Sequence, residues 1–146
     1  MLAITNYYTN AHRIEGEVDA SVTTIQPGQL FQFNDSGKLV YADGTKKAYP
    51  TLNSRYSGTG FGPQGELNEG RDDVSRTKRI ALLKGNFEIG TDQYDTTKTF
   101  VYGEPIVAGP GGKVIPFVDV THKPWDIIGF VTYVPASDDE MIRYEG

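Results

Sequence analysis

Turn-forming residues constrain this chain more than any other feature, because one turn pattern is written twice. The segment Gly28-Gln29-Leu30-Phe31-Gln32-Phe33-Asn34-Asp35-Ser36-Gly37-Lys38-Leu39-Val40 returns 75 positions later without a gap. Its echo is Gly103-Glu104-Pro105-Ile106-Val107-Ala108-Gly109-Pro110-Gly111-Gly112-Lys113-Val114-Ile115. Each copy reads as a short apolar strand, a reversal ending in Gly-Lys, and a second apolar strand. Asn, Asp, Ser and Gly accept the backbone angles that a tight reversal needs, so both copies predict β-hairpins. Because the turn chemistry is kept while the strand residues change, the echo predicts one turn solution used twice rather than two copies of a site.

The rest of the chain agrees with an all-β reading. Its 17 glycines and 8 prolines are scattered between apolar runs, as turn punctuation is. Strand character falls at 22–25, 79–84, 87–89, 98–102, 127–134 and 141–144, where β-branched and aromatic residues dominate. Short strands at regular spacing predict a compact antiparallel barrel or sandwich. Residues 1–19 have no sustained helical period and are expected as an extended N-terminal arm. Residues 20–146 are expected as a single β-domain carrying one long Gly-rich loop at 44–77.

Composition narrows the chemistry. Without cysteine, disulfides, zinc–thiolate sites and thiol nucleophiles are excluded. The net charge of −5 and the lack of a basic cluster without acidic neighbours argue against direct nucleic-acid binding. Arg76, Lys78 and Arg79 follow Asp72 and Asp73, which reads as a self-compensating solvated segment. No apolar stretch approaches the ~18 residues needed to span a bilayer, so no membrane role is expected. The N-terminus lacks the shape of a signal peptide, so the chain is expected to be made in the cytoplasm.

Catalytic patterns are scarce. His122 precedes Asp126 closely enough to suggest an acid–base pair, but a lone histidine in a polar turn beside Pro124 is more simply structural. Gly58-Thr59-Gly60-Phe61-Gly62 lacks the spacing and the following helix of a phosphate loop. The acidic groups Asp72-Asp73 and Asp138-Asp139-Glu140 lack the alternating form of a calcium loop. No enzyme, cofactor or metal is expected. What remains is aromatic: nine tyrosines, seven phenylalanines and one tryptophan. Tyr7, Tyr8, Tyr56, Phe61 and Trp125 fall in expected arm, loop or turn positions, and with Ile14 they form the candidate protein interface.

The order of segments carries a resemblance. It runs through Ile25-Gln26-Pro27-Gly28, Ser36-Gly37-Lys38-Leu39-Val40-Tyr41 and Lys84-Gly85-Asn86-Phe87-Glu88-Ile89. It continues through Tyr102-Gly103-Glu104-Pro105-Ile106-Val107, Ile127-Ile128-Gly129-Phe130-Val131-Thr132-Tyr133-Val134-Pro135 and Ile142-Arg143-Tyr144. Over about 20–146 the chain resembles the β-rich capsid decoration (cement) proteins of tailed bacteriophages. That resemblance implies a non-enzymatic virion structural protein on the capsid exterior, often a homotrimer at local threefold positions. Its partner would be the major capsid protein, with neighbouring capsid subunits clamped together. Two other readings stay open: a phage tail-tube or fibre module, and a carbohydrate-binding β-sandwich using Trp125 as a stacking platform.

Overall fold

The computed structural model describes residues 2–7, 12–52, 79–137 and 140–146. They form eleven strands: β1 (Leu2–Tyr7), β2 (His12–Glu17), β3 (Leu30–Phe33), β4 (Leu39–Tyr41), β5 (Tyr49–Pro50), β6 (Arg79–Lys84), β7 (Phe87–Thr91), β8 (Pro105–Ala108), β9 (Val114–Pro116), β10 (Gly129–Tyr133) and β11 (Ile142–Glu145). All strand pairings are antiparallel. The arrangement is sandwich-like, and none of its sheets closes into a barrel.

The two echoed hairpins form as the turn chemistry predicts, in the same register. Phe31, Gln32 and Phe33 face Tyr41, Val40 and Leu39. At the equivalent positions Ile106, Val107 and Ala108 face Pro116, Ile115 and Val114. Gly28, Gly37, Gly103 and Gly112 all hold positive φ, between 74° and 88°. Side-chain-bearing residues are strained there, which is why these positions repeat.

The equivalence extends far beyond the hairpins. In the first half, Gly28 N–H donates to Thr51 O and Thr51 N–H to Gln29 O, at 2.8 and 3.0 Å. In the second, Gly103 N–H donates to Val131 O and Val131 N–H to Glu104 O, at the same two distances. These bonds pair β3 with β5 and β8 with β10 alike. An isolated bridge between Thr51 and Leu82 joins β5 to β6, as Val131 opposite Tyr144 joins β10 to β11. Ile14 lies opposite Leu82, as Ile89 lies opposite Tyr144. The strand order β2-β6-β5-β3-β4 therefore recurs as β7-β11-β10-β8-β9. The chain is two copies of one five-strand unit in tandem.

Each unit buries an equivalent set of side chains. Ile25, Phe31, Leu39, Ile80 and Leu82 lie in one core, with half-buried Ile14 against it. Their counterparts Phe100, Ile106, Val114, Ile142, Tyr144 and Ile89 lie in the other. Leu30, Ala42, Ala48 and Leu83 of the first unit join that second core, which welds the two units together. Gly112 N–H donates to Ala42 O (3.1 Å), and the Gln29 side-chain amide donates to Gly111 O (2.8 Å). The second hairpin's turn thus docks on the first hairpin.

Three sequence expectations change. The run 22–25, expected as a strand, is irregular apart from a single bridge residue at Ile25. Both described stretches of the segment 1–19 are paired strands, since β1 runs along β7 and β2 along β6. The run 98–102, expected as a strand, is not one. An Asp95 turn precedes it and a Val101–Glu104 turn follows, leaving only Phe100 pointing into the core. Of the loop at 44–77, only its start through Leu52 is described, and it includes β5.

Candidate functional site: an apolar outcrop on the second unit

Comparing the two units locates the surface that is not explained by folding. Among the described residues, the exposed large apolar side chains are Val101, Tyr102, Val118, Val120, Trp125 and Phe130, all in the second unit. Where the second unit has Val101-Tyr102-Gly103-Glu104, the first has Gln26-Pro27-Gly28-Gln29, a polar and largely covered version of the same turn. Between β9 and β10 the chain spends twelve residues, 117–128, where the first unit needs only seven, 42–48, between β4 and β5. That longer loop carries Val118, Val120 and Trp125.

Sheet register gathers these segments. Phe130 lies opposite Pro105 on one side and Glu145 on the other. Phe117 N–H donates to Pro105 O at 3.1 Å, placing Phe117 next in the same row. Residues directly opposite each other share a face, so Glu145, Phe130, Pro105 and Phe117 form one cross-strand row. Gly103 N–H, bonded to Val131 O, brings the Val101–Tyr102 turn alongside the middle of β10.

The loop 117–128 is held by its own hydrogen bonds. Thr121 and His122 N–H groups donate to Val118 O at 2.9 and 2.8 Å. The Val118 N–H donates to His122 Nδ1 at 2.8 Å, so the neutral ring carries its proton on Nε2. The imidazole also lies 5.8 Å from the Phe117 ring, centroid to centroid. Lys123 N–H donates to Asp126 Oδ2 at 2.8 Å, fixing the short helical turn Pro124–Asp126. His122 and Asp126 are thus each engaged by backbone. Val120 at the loop tip is 93% exposed and Trp125 is 75% exposed, so the bonds hold two large apolar side chains out in solvent.

The sequence-predicted interface residues divide. Trp125 belongs to this outcrop. Ile14 is half-buried against the first unit's core, and the Tyr7 backbone pairs with Phe87. Tyr8, Tyr56 and Phe61 lie outside the described residues, as do Asp138 and Asp139. The sequence reading missed Val101, Tyr102 and Phe130, which it assigned to strands, and Val118 and Val120. Aligning the two units would have found them, because they stand where the copies differ.

Other features offer less. A cavity of about 300 Å³ between the units is lined in part by Ala48, Leu83, Phe87, Ile128 and Tyr144. The Tyr144 hydroxyl is buried without a hydrogen-bond partner. Among the described residues, no three acidic or histidine side chains converge as a metal site would require. No helix among them is long and apolar enough to cross a membrane. No protein-family model, curated protein or solved structure matches this chain.

Proposed function

We propose that this chain is a non-enzymatic virion structural protein of a tailed bacteriophage, which binds the outside of the head and stabilises the shell by clamping neighbouring major capsid subunits. The observation that carries the docking role is that, among the described residues, the exposed large apolar side chains all lie on the second unit. Large apolar side chains held exposed on one unit of a folded protein point to an interaction site, and tryptophan and tyrosine are enriched among the energetic anchors of such sites. The capsid as partner rests on the resemblance in the order of strand and turn segments. A repeating lattice suits such a module, since many modest contacts act together on one surface.

The test is decoration of expanded heads by the purified chain, scored by electron microscopy. Val120→Asp with Trp125→Asp places two charges on the outcrop without touching either core. Head affinity should fall about thirtyfold, the equivalent of about 2 kcal/mol for a lost anchor pair. Heads decorated equally by the variant would refute the docking surface. Rings or fibres formed by the chain without heads would favour a tail-tube or fibre module. Saturable glycan binding lost in Trp125→Ala would favour the carbohydrate reading.

A further inference from the structure

The two units are equivalent strand for strand except at one edge. In the second unit β1 lies beyond β7, with Ile4 opposite Ile89. In the first unit β2 occupies the place of β7, and Ile14 occupies the place of Ile89. Among the described residues, no strand lies beyond β2. Its outward N–H and C=O groups form a ready template for another strand, and the sister unit supplies the example of an antiparallel occupant centred on an isoleucine pair.

The sequence of β2 selects that occupant. His12-Arg13-Ile14-Glu15-Gly16-Glu17 alternates faces, with Arg13 and Glu15 exposed and Ile14 and Gly16 turned toward the core. A second β2, antiparallel and related by a twofold axis at Ile14, sets Ile14 against Ile14 on the inner face. On the outer face the same register sets Arg13 of each copy against Glu15 of the other. Directly opposed unlike charges favour such a pair, and twofold symmetry supplies the contact twice. Within one chain Arg13 already reaches Glu15 at 2.8 Å, so both groups are oriented on the same face of the edge.

We infer that two copies of this chain pair through their β2 edges, antiparallel about a twofold axis at Ile14, extending one sheet across the dimer. This goes beyond the docking role and does not depend on it, since the outcrop lies on the other unit. It also differs from the threefold arrangement that the family resemblance implies, so mass in solution separates the two.

The experiment is sedimentation velocity on the full chain across a concentration series, with charge-reversed variants. The native chain should form a dimer. Arg13→Glu and Glu15→Arg should each weaken it at least tenfold, because each opposes like charges twice. The double variant restores unlike pairs and should recover the native dissociation constant within about threefold. Both positions are exposed, so circular dichroism should show the fold unchanged. A second readout uses the absence of cysteine: Ile14→Cys should give a covalent dimer on mild oxidation, and Lys84→Cys should not. A monomer at all concentrations, a trimer, or a dimer indifferent to Arg13→Glu would each overturn the edge assignment.

Discussion

Tyr144 shows what a single residue reveals when the chain carries its own control. It is fully buried, it fills the position that Leu82 fills in the first unit, and its hydroxyl has no hydrogen-bond partner. Burial pushes its ionisation well above the usual phenol range, so the group stays a neutral donor. A buried donor left unpaired costs free energy that its removal regains. Tyr144→Phe keeps the ring and its edge-on contact with Phe87. The variant should therefore gain about 1 kcal/mol of stability, seen as a melting temperature about 3 °C higher. An unchanged or lower melting temperature would mean that the hydroxyl is satisfied in solution. At this scale the sequence was legible where backbone geometry dictates the residue, as at the four echoed glycines. It was not legible at Ile14 or Phe130, because an apolar residue on a strand reads alike whether it faces core or solvent.

Among the connecting elements, the best-matched pair is a turn that the sequence reading did not single out. Ser21 N–H donates to Asp19 Oδ1 at 2.9 Å, and Thr97 N–H donates to Asp95 Oδ1 at the same distance. Each aspartate sits where its chain segment enters its unit's hairpin, with Asp19 N–H bonded to Leu39 O and Asp95 N–H to Val114 O. The Ser21 backbone N–H holds the Asp19 carboxyl below its ordinary value of 3.8, and the Thr97 hydroxyl does the same for Asp95. The Ala136 N–H likewise lowers Glu140. A carboxylate with a depressed folded-state value stabilises the fold above its ordinary value and loses that contribution as pH falls through the lower one. Melting temperature should thus be level from pH 7 to about 5 and drop below about 4. Asp19→Asn with Asp95→Asn keeps an acceptor oxygen in each turn but removes the titration, so melting curves should show a shallower acid limb. An unaltered limb would place the acid sensitivity elsewhere. Strands surrounding these turns were only partly legible. The run 98–102 has strand composition, yet turns on both sides leave it too short to pair.

For the whole molecule, the repeat explains why sequence reading recovered the fold class and not the architecture. Turn positions require particular residues, so the hairpin echo survives in the letters. Core positions require only apolar bulk of suitable shape, so Phe31 and Ile106, or Leu39 and Val114, do the same work without resembling each other. The spacing also drifts, since the second unit lengthens its β9–β10 loop and the first separates β5 from β6 by the segment 51–78. Only hydrogen-bond register restores the match. The same comparison separates what holds the fold from what the fold presents. Residues 42–48 close the first unit's β4–β5 connection in seven residues, so the twelve at 117–128 exceed what the equivalent connection requires. Replacing 117–128 with the Ala42–Ala48 sequence should leave a folded protein, because surface connections tolerate length changes far better than cores do. It removes Val118, Val120 and Trp125 together, so head decoration should fall by more than the thirtyfold expected of the two aspartate substitutions. A graft that melts within a few degrees of the native chain yet still decorates heads would show that the outcrop is not the clamp. One that fails to fold would instead make the loop part of the second core. Ile128, buried in the second core and with its N–H bonded to Ile106 O, is where the loop's end could act that way, and a second graft retaining Ile127 and Ile128 separates the two outcomes.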